Sequence, residues 1–472
     1  MRFQSRPLLA CLFLCLVASA ASAQTQSGTP KASMQLAERP PMGWNSWDSY
    51  GLTVTESQFR DNVAVLAGTL KPFGWNYAVI DEGWFLKNPL DRSTPDKLAY
   101  ELDENGRYIP VPARFPSALN DGKNIGFAAL GTYVHSLGLK FGIHIVRGIP
   151  RESVSRNLSI AGGHFRAEDA ADTSDACPWD PTNWGIRDTP AGQAWYDSLL
   201  KQYAAWGVDY LKVDCISDHP YKPNEIRMIH RAIVKTGRPI VLSLSPGPTS
   251  PGLAKELISY AQMWRISDDI WDFWANANFF PNSLHDQFAL TAAWAPYARP
   301  GTWPDADMLP IGYLGPVPGD GVARESRLTH DEQKTMFTLW SIARSPLILG
   351  ANLTKLDDWT TKLITNRDVL DVDQFGHDQR QIARSDNTVA WTAGGKGDIK
   401  YLALFNLNDK ETKISHSYDF YNLPAKSYNS RELWTQADHG VSTSVDVVVP
   451  PHGCVLFELK PARTAVRDRN AT

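Results

Sequence analysis

The chain has 472 residues, enough for one large domain and a smaller one. Its 47 Lys and Arg against 51 Asp and Glu leave a formal charge of −4, which gives no electrostatic ground for nucleic acid or a strongly acidic surface as partner. Aromatic residues make up 11% of the chain and include 17 Trp, a number high enough that a few are available to pack their flat faces on the C–H-rich face of a sugar.

The first 23 residues read as a secretory signal peptide. Arg2 and Arg6 form a basic region, Leu8 to Val17 an apolar run too short to span a membrane, and Ala21-Ser22-Ala23 a small-residue cleavage site. The mature chain is expected to begin at Gln24, in the periplasm or outside the cell, with no membrane anchor further along. Cys11 and Cys15 leave with the signal. Of the remaining three cysteines, Cys177 and Cys215 are expected to form one disulfide, tying a loop to a strand end. Cys454 lies in the apolar run Val455-Leu456-Phe457 and reads as a small buried hydrophobe. No cysteine or histidine spacing suits a zinc site, and no metal, nucleotide or other cofactor is expected.

Residues 24–38 form a short polar leader. From 39 to 370 strands alternate with amphipathic helices. Apolar strand candidates run from Met42 to Trp47, Tyr77 to Glu82, Lys140 to Val146, Tyr210 to Asp214, Ile240 to Ser245 and Met263 to Asp269. Two more lie just before Gly301 to Asp307 and around Pro346 to Ala351. Helical patterns fall between them, for example Gln58 to Leu70, Ala191 to Trp206, Glu225 to Lys235 and Asp331 to Ala343. About eight β/α units with polar residues at many strand ends predict a closed (β/α)8 barrel, with its site at the C-terminal ends of the strands. An open doubly wound sheet would need a glycine-rich phosphate loop after a strand, and Ala161-Gly162-Gly163 does not follow one.

Two of these strands carry charge where burial makes charge costly. In Tyr210-Leu211-Lys212-Val213-Asp214, period-two alternation puts Leu211 and Val213 on one face, Lys212 and Asp214 on the other. The second place is Arg265-Ile266-Ser267-Asp268-Asp269. Each alone is more often a structural ion pair, or a solvated turn or helix cap; together, two acidic strand ends far apart in sequence are what glycoside cleavage requires. From 371 to 462 the pattern becomes short β runs with tight turns: Val389 to Trp391, Tyr401 to Phe405, Ser430 to Trp434, Val445 to Val449 and Val455 to Leu459. This predicts an antiparallel β-sandwich. Residues 463–472 are expected to be a disordered tail.

The ordered set of motifs resembles glycoside hydrolase family 27, the family of α-galactosidases. Pro41-Met42-Gly43-Trp44-Asn45-Ser46-Trp47 is similar to its opening strand, and Asp81-Glu82-Gly83-Trp84 to its Asp-Asp-Cys-Trp segment. Tyr210 to Cys215 is similar to its nucleophile strand and Arg265-x-x-x-Asp269 to its acid/base segment. Trp303-Pro304-Asp305-Ala306-Asp307-Met308-Leu309 and Glu432-Leu433-Trp434 match later segments. The resemblance implies a retaining exo-glycosidase that releases terminal α-D-galactose from oligosaccharides or polysaccharides through a covalent glycosyl-enzyme. Asp214 would be the nucleophile and Asp269 the acid/base, with Asp268 a rival for the second role. Lys212, beside Asp214, is expected to lower the nucleophile's pKa, and Asp268 and Asp272 to raise that of Asp269. Trp47, Asp81, Glu82, Lys212 and Arg265 would bind the sugar; Asp305 and Asp307 read as loop-structuring groups.

Four positions depart from the galactosidase pattern. Glu82 stands where a second Asp is usual, Gly83 replaces a cysteine, and His144 replaces a pocket tyrosine. Ser245-Pro246-Gly247 replaces a loop that reads the C2 side of the sugar. His144 reads either as a pocket wall or as a core histidine bonded to backbone. The extra methylene of Glu82 carries its carboxylate about 1.5 Å further into the space of the galactose C6 arm. L-arabinopyranose has the same ring hydroxyls and lacks that arm, so terminal β-L-arabinopyranosyl units are the alternative substrate. A catalytically silent carbohydrate-binding protein would have lost a catalytic carboxylate, and both are present.

Overall fold

The computed structural model describes residues 36–91, 97–278, 280–315, 321–385 and 387–462. The expected signal peptide, nearly all of the leader and the expected tail lie outside the described residues. Eight parallel strands form the larger domain: β1 (Met42–Asn45), β2 (Tyr77–Ile80), β3 (Lys140–Val146), β4 (Tyr210–Asp214), β5 (Val241–Leu244), β6 (Met263–Arg265), β7 (Trp303–Asp305) and β8 (Leu347–Leu349). They pair in chain order from β1 to β7, with β8 beside β1. A parallel bridge from Leu309 to Leu349 brings the segment after β7 to β8, so the sheet curls round into a (β/α)8 barrel. The outer layer holds α1 (Glu56–Val65), α2 (Ala128–Ser136), α3 (Pro190–Ala205), α4 (Pro223–Thr236), α5 (Ala254–Tyr260), α6 (Leu284–Trp294), α7 (His330–Ala343) and α8 (Arg367–Phe375). Side-chain caps fix several starts: Thr55 with Gln58 before α1, and Thr329 with Glu332 before α7.

Strand alternation decides what faces the barrel axis. Leu211 and Val213 of β4 join the large apolar cluster that includes Ile229 of α4. The other parity supplies a separate plug of Tyr77, Val79, Tyr210, Val241, Met263 and Trp303. Two residues on along the same strands come Asp81, Lys212, Arg265 and Asp305; two further on β4 comes Asp214. The apolar plug therefore seals the barrel below a charged layer. Glycine makes room for the plug: a Cβ on Gly142 of β3 would stand 2.9 Å from Val79 Cγ2 and 3.1 Å from Tyr210 Cβ.

The C-terminal domain has a six-stranded antiparallel sheet in the order β9 (His377–Arg384), β10 (Thr388–Gly394), β11 (Lys400–Asn406), β16 (Cys454–Pro461), β13 (Tyr428–Glu432), β14 (Asp438–Ser442). It is faced by the pair β12 (Thr412–Ser417) and β15 (Ser444–Val449). On β11, Leu402 and Leu404 pack with Val445 and Val449 inside the sandwich, whereas Ala403 and Phe405 join the barrel's own apolar cluster. Two details differ from the sequence reading. The seventh strand is Trp303–Asp305 itself, not the residues before Gly301. The connection from β3 to α3 carries a three-stranded antiparallel sheet of Ile149–Pro150, Ala171–Ala176 and Asn183–Ile186. Its edge strand Ala171–Ala176, Ala-Asp-Thr-Ser-Asp-Ala, is too polar to show a buried face.

Candidate active site

The charged layer begins at the end of β1, where Asn45 Nδ2 donates to Asp81 Oδ2 at 2.6 Å. Lys212 Nζ donates to that same oxygen at 2.9 Å. Burial opposes ionisation of Asp81, but Lys212 first, then His144 and the Glu82 and Asn45 N–H groups, hold its carboxyl below the usual range. Lys212 bonds Asp81 directly, and its charge also helps to hold the Asp214 carboxyl low, as the sequence reading expected.

Asp214 is met from β3. His144 is 0% exposed and turns Nε2 toward Asp214 Oδ2 at 3.4 Å, while the Cys215 N–H donates to Asp214 Oδ1 at 2.8 Å. Burial raises the Asp214 carboxyl, and His144, followed by Lys212 and the Cys215 N–H, outweighs it and leaves the group well below the ordinary carboxylate range. The His144 ring is in turn raised: burial disfavours its charge, but Asp81 and Asp214 favour the imidazolium. His144 therefore bonds a carboxylate rather than backbone, and its complete burial keeps it from being an open wall of the pocket. The backbone after Asp214 is clamped as well. Arg147 Nε donates to the Cys215 carbonyl at 2.6 Å, and its guanidinium pairs with Asp175 and Glu225. Cys177 and Cys215 are joined by a disulfide, as expected, and Cys454 is free and buried.

Two strands on from β4, Arg265 on β6 is buried and its Nη2 lies 3.1 Å from Asp269 Oδ1 and 2.7 Å from Asp307 Oδ2. Burial works against the Arg265 charge, but Asp307, Asp269, Asp305 and Asp214 in that order raise its pKa, so the guanidinium spans the fields of both candidate carboxylates. Burial, then Asp269 and Asp305, push the Asp307 carboxyl up against the pull of Arg265. Asp307 also accepts the Ile270 N–H at 2.8 Å, which ties the segment after β6 to β7. The rival carboxylates differ in access: the Asp269 side chain is 45% exposed and that of Asp268 10%. Burial, then Asp269, raise the Asp268 carboxyl. Asp272 is turned away, gripped by Arg324 and Arg327 at 2.6 Å each, so it is not the like-charged neighbour of Asp269 that the sequence suggested.

Around this pair, Trp47 is half-buried against Trp271, Leu314 and Ala351. Glu82 is 6% exposed and lines a cavity of about 70 Å³ with Phe85, Leu98, Trp179 and Asp180. Ser245 is buried at the end of β5, where its carbonyl accepts the N–H groups of Ile216 and Ser217 and so braces the loop after Asp214. Asp307 holds the loop as the sequence reading expected, but two contributors escaped that reading. Asn45 was legible in principle as a polar residue at a strand end. Asp48, buried with its carboxyl raised well above normal by burial and then by Asp307, follows Trp47 directly. Among the described residues no cluster of His, Cys, Asp and Glu is arranged to hold a metal ion.

Known proteins resemble this chain in sequence and in fold. Residues 182–375 match the family described as alpha galactosidase A, and residues 385–459 match the alpha galactosidase C-terminal beta sandwich domain. An α-galactosidase of Cyamopsis tetragonoloba is 28% identical over 434 residues, 90% of this chain and 87% of that protein. Among solved structures, a family 27 β-L-arabinopyranosidase of Geobacillus stearothermophilus is 42% identical with a TM-score of 0.84, covering 90% of this chain and 97% of that one. An α-galactosidase of Mortierella vinacea is 26% identical with a TM-score of 0.69, covering 92% and 100%.

Proposed function

The chain belongs to glycoside hydrolase family 27 and is a retaining glycosidase, and from that premise we propose that Asp214 is its nucleophile and Asp269 its acid/base. An ionised nucleophile is supported by the contacts of Asp214 with His144 and the Cys215 N–H. Its free oxygen lone pairs attack the anomeric carbon as Asp269 passes a proton to the departing glycosidic oxygen. The glycosyl ester on Asp214 then yields to water, from which Asp269 takes a proton, and two inversions give net retention. Access favours Asp269 over Asp268, because a group that must reach both the leaving oxygen and water cannot be sealed off. Asp81 and Lys212 bind the ring hydroxyls, and Trp47 packs on the sugar's apolar face.

The substrate we infer is a terminal β-L-arabinopyranosyl unit, taken in preference to α-D-galactosyl. The observation that carries this is Glu82, buried beside Asp81 with a side chain one methylene longer than the Asp of galactosidases. The likeness to an arabinopyranosidase at 42% identity supports it, against 28% for the Cyamopsis α-galactosidase. α-D-Galactosides are the second reading, since a misfit of one carbon costs only about 1–3 kcal/mol. A panel of nitrophenyl glycosides tests this: kcat/KM should be higher for β-L-arabinopyranoside than for α-D-galactoside, and the reverse order overturns it. The amino-terminal signal would deliver the enzyme to the periplasm or the medium. Sequencing the exported protein should find Gln24 first.

A further inference from the structure

We propose that Trp179 and His219 form a subsite for the leaving group, taking the apolar C–H face of a neutral pyranose on the far side of the scissile bond. This rests on the reading of Asp269 as the acid, since the group that protonates the glycosidic oxygen marks the side on which the leaving group lies.

His219 stands on that side. Its Nε2 is 3.8 Å from Asp268 Oδ1, one residue from Asp269, and its Nδ1 is 2.8 Å from Asp218 Oδ2. The Trp179 ring meets the His219 ring at 5.3 Å between centroids and 55° between planes. The platform is firmly backed: Trp179 packs against Val146, Cys177 and Cys215, and the Cys177–Cys215 disulfide joins the two loops that carry the rings. Cys215 in turn follows the nucleophile. A half-buried Trp beside a His whose side chain is 47% exposed is an open aromatic surface with a polar edge, the combination that packs on a sugar ring and bonds its hydroxyls. The chemistry at Asp214 and Asp269 uses neither ring.

The test compares two leaving groups on the same glycosyl unit. One substrate is the glycosyl fluoride, of β-L-arabinopyranose or α-D-galactose according to which the enzyme prefers. The other is a disaccharide bearing that unit on glucose. Trp179→Ala should lower kcat/KM for the disaccharide about tenfold and leave the fluoride within about twofold. His219→Asn, a change at an exposed position that tolerates positive φ, should lower the disaccharide about threefold with the fluoride unchanged. If both substrates fall together in Trp179→Ala, or the disaccharide is unaffected in both variants, the subsite is refuted while the glycosidase stands. If the unaltered enzyme cleaves neither substrate, the proposed function itself fails and takes the subsite with it.

Discussion

At position 214 burial and charge oppose each other, and charge wins. The carboxylate sits on the only β4 face where the next inward neighbour is a lysine, and a buried imidazole lies 3.4 Å away. Since Asp214 must be ionised to attack, its lowered pKa places the acid limb of kcat/KM below the usual carboxylate range. Removing the imidazole in His144→Phe leaves burial less compensated, so that limb should move to higher pH. A pH–rate profile with an unmoved limb would show that His144 does not set it. Glu82 acts by length rather than charge. Glu82→Asp should raise the ratio of galactoside to arabinopyranoside kcat/KM about tenfold, within the range that one methylene allows; an unchanged ratio would remove Glu82 from specificity.

At the scale of elements, the segment after β6 has to present Asp269 while lacking regular structure. Asp307 anchors its start through the Ile270 N–H, and Asp272 anchors its end between Arg324 and Arg327. Burial disfavours the charge on Asp272, but hydrogen bonds from the two arginines lower its pKa to about 2. A carboxyl whose pKa is depressed on folding stabilises the fold above its unfolded pKa, near 3.9, and loses that contribution as pH falls through about 2. The window is worth on the order of 2 kcal/mol. Asp272→Asn should therefore lower Tm at pH 7 and flatten the fall in Tm between about pH 4 and 2; an unaltered acid slope would contradict the anchor. The sequence displayed the strands that present the site because each apolar run stops at a polar residue: Asp81, Asp214 and Arg265 were all legible that way. It hid the pairings. Lys212 has Asp214 two residues away, yet its bond goes to Asp81, 131 positions distant, because barrel curvature sets neighbours that spacing along one strand does not. The short strands between β3 and α3, whose connecting bend carries Trp179, showed no alternation to read.

At the scale of the whole molecule, one face of the sandwich joins the barrel's apolar core, while its interior forms a second cluster. Val389, Trp391, Phe405, Leu433 and Leu456 belong to the same cluster as Trp75 and Phe337 of the barrel. His452 stacks on Trp274 at 4.0 Å, and its ring nitrogens reach Glu332 of α7 and Asp409. The sandwich therefore buttresses α7 and, through it, the β7 and β8 ends of the site. Trp391→Ala should cost about 3–5 kcal/mol and leave a single calorimetric transition, whereas a separate sandwich transition would show two independent units. The mechanism requires Asp214 to become covalently bonded to the sugar. Incubation with a glycosyl fluoride fluorinated beside the anomeric carbon, followed by peptide mass mapping, tests it most directly: the glycosyl mass should sit on Asp214, and its appearance on Asp269, Asp268 or any other residue would contradict the account.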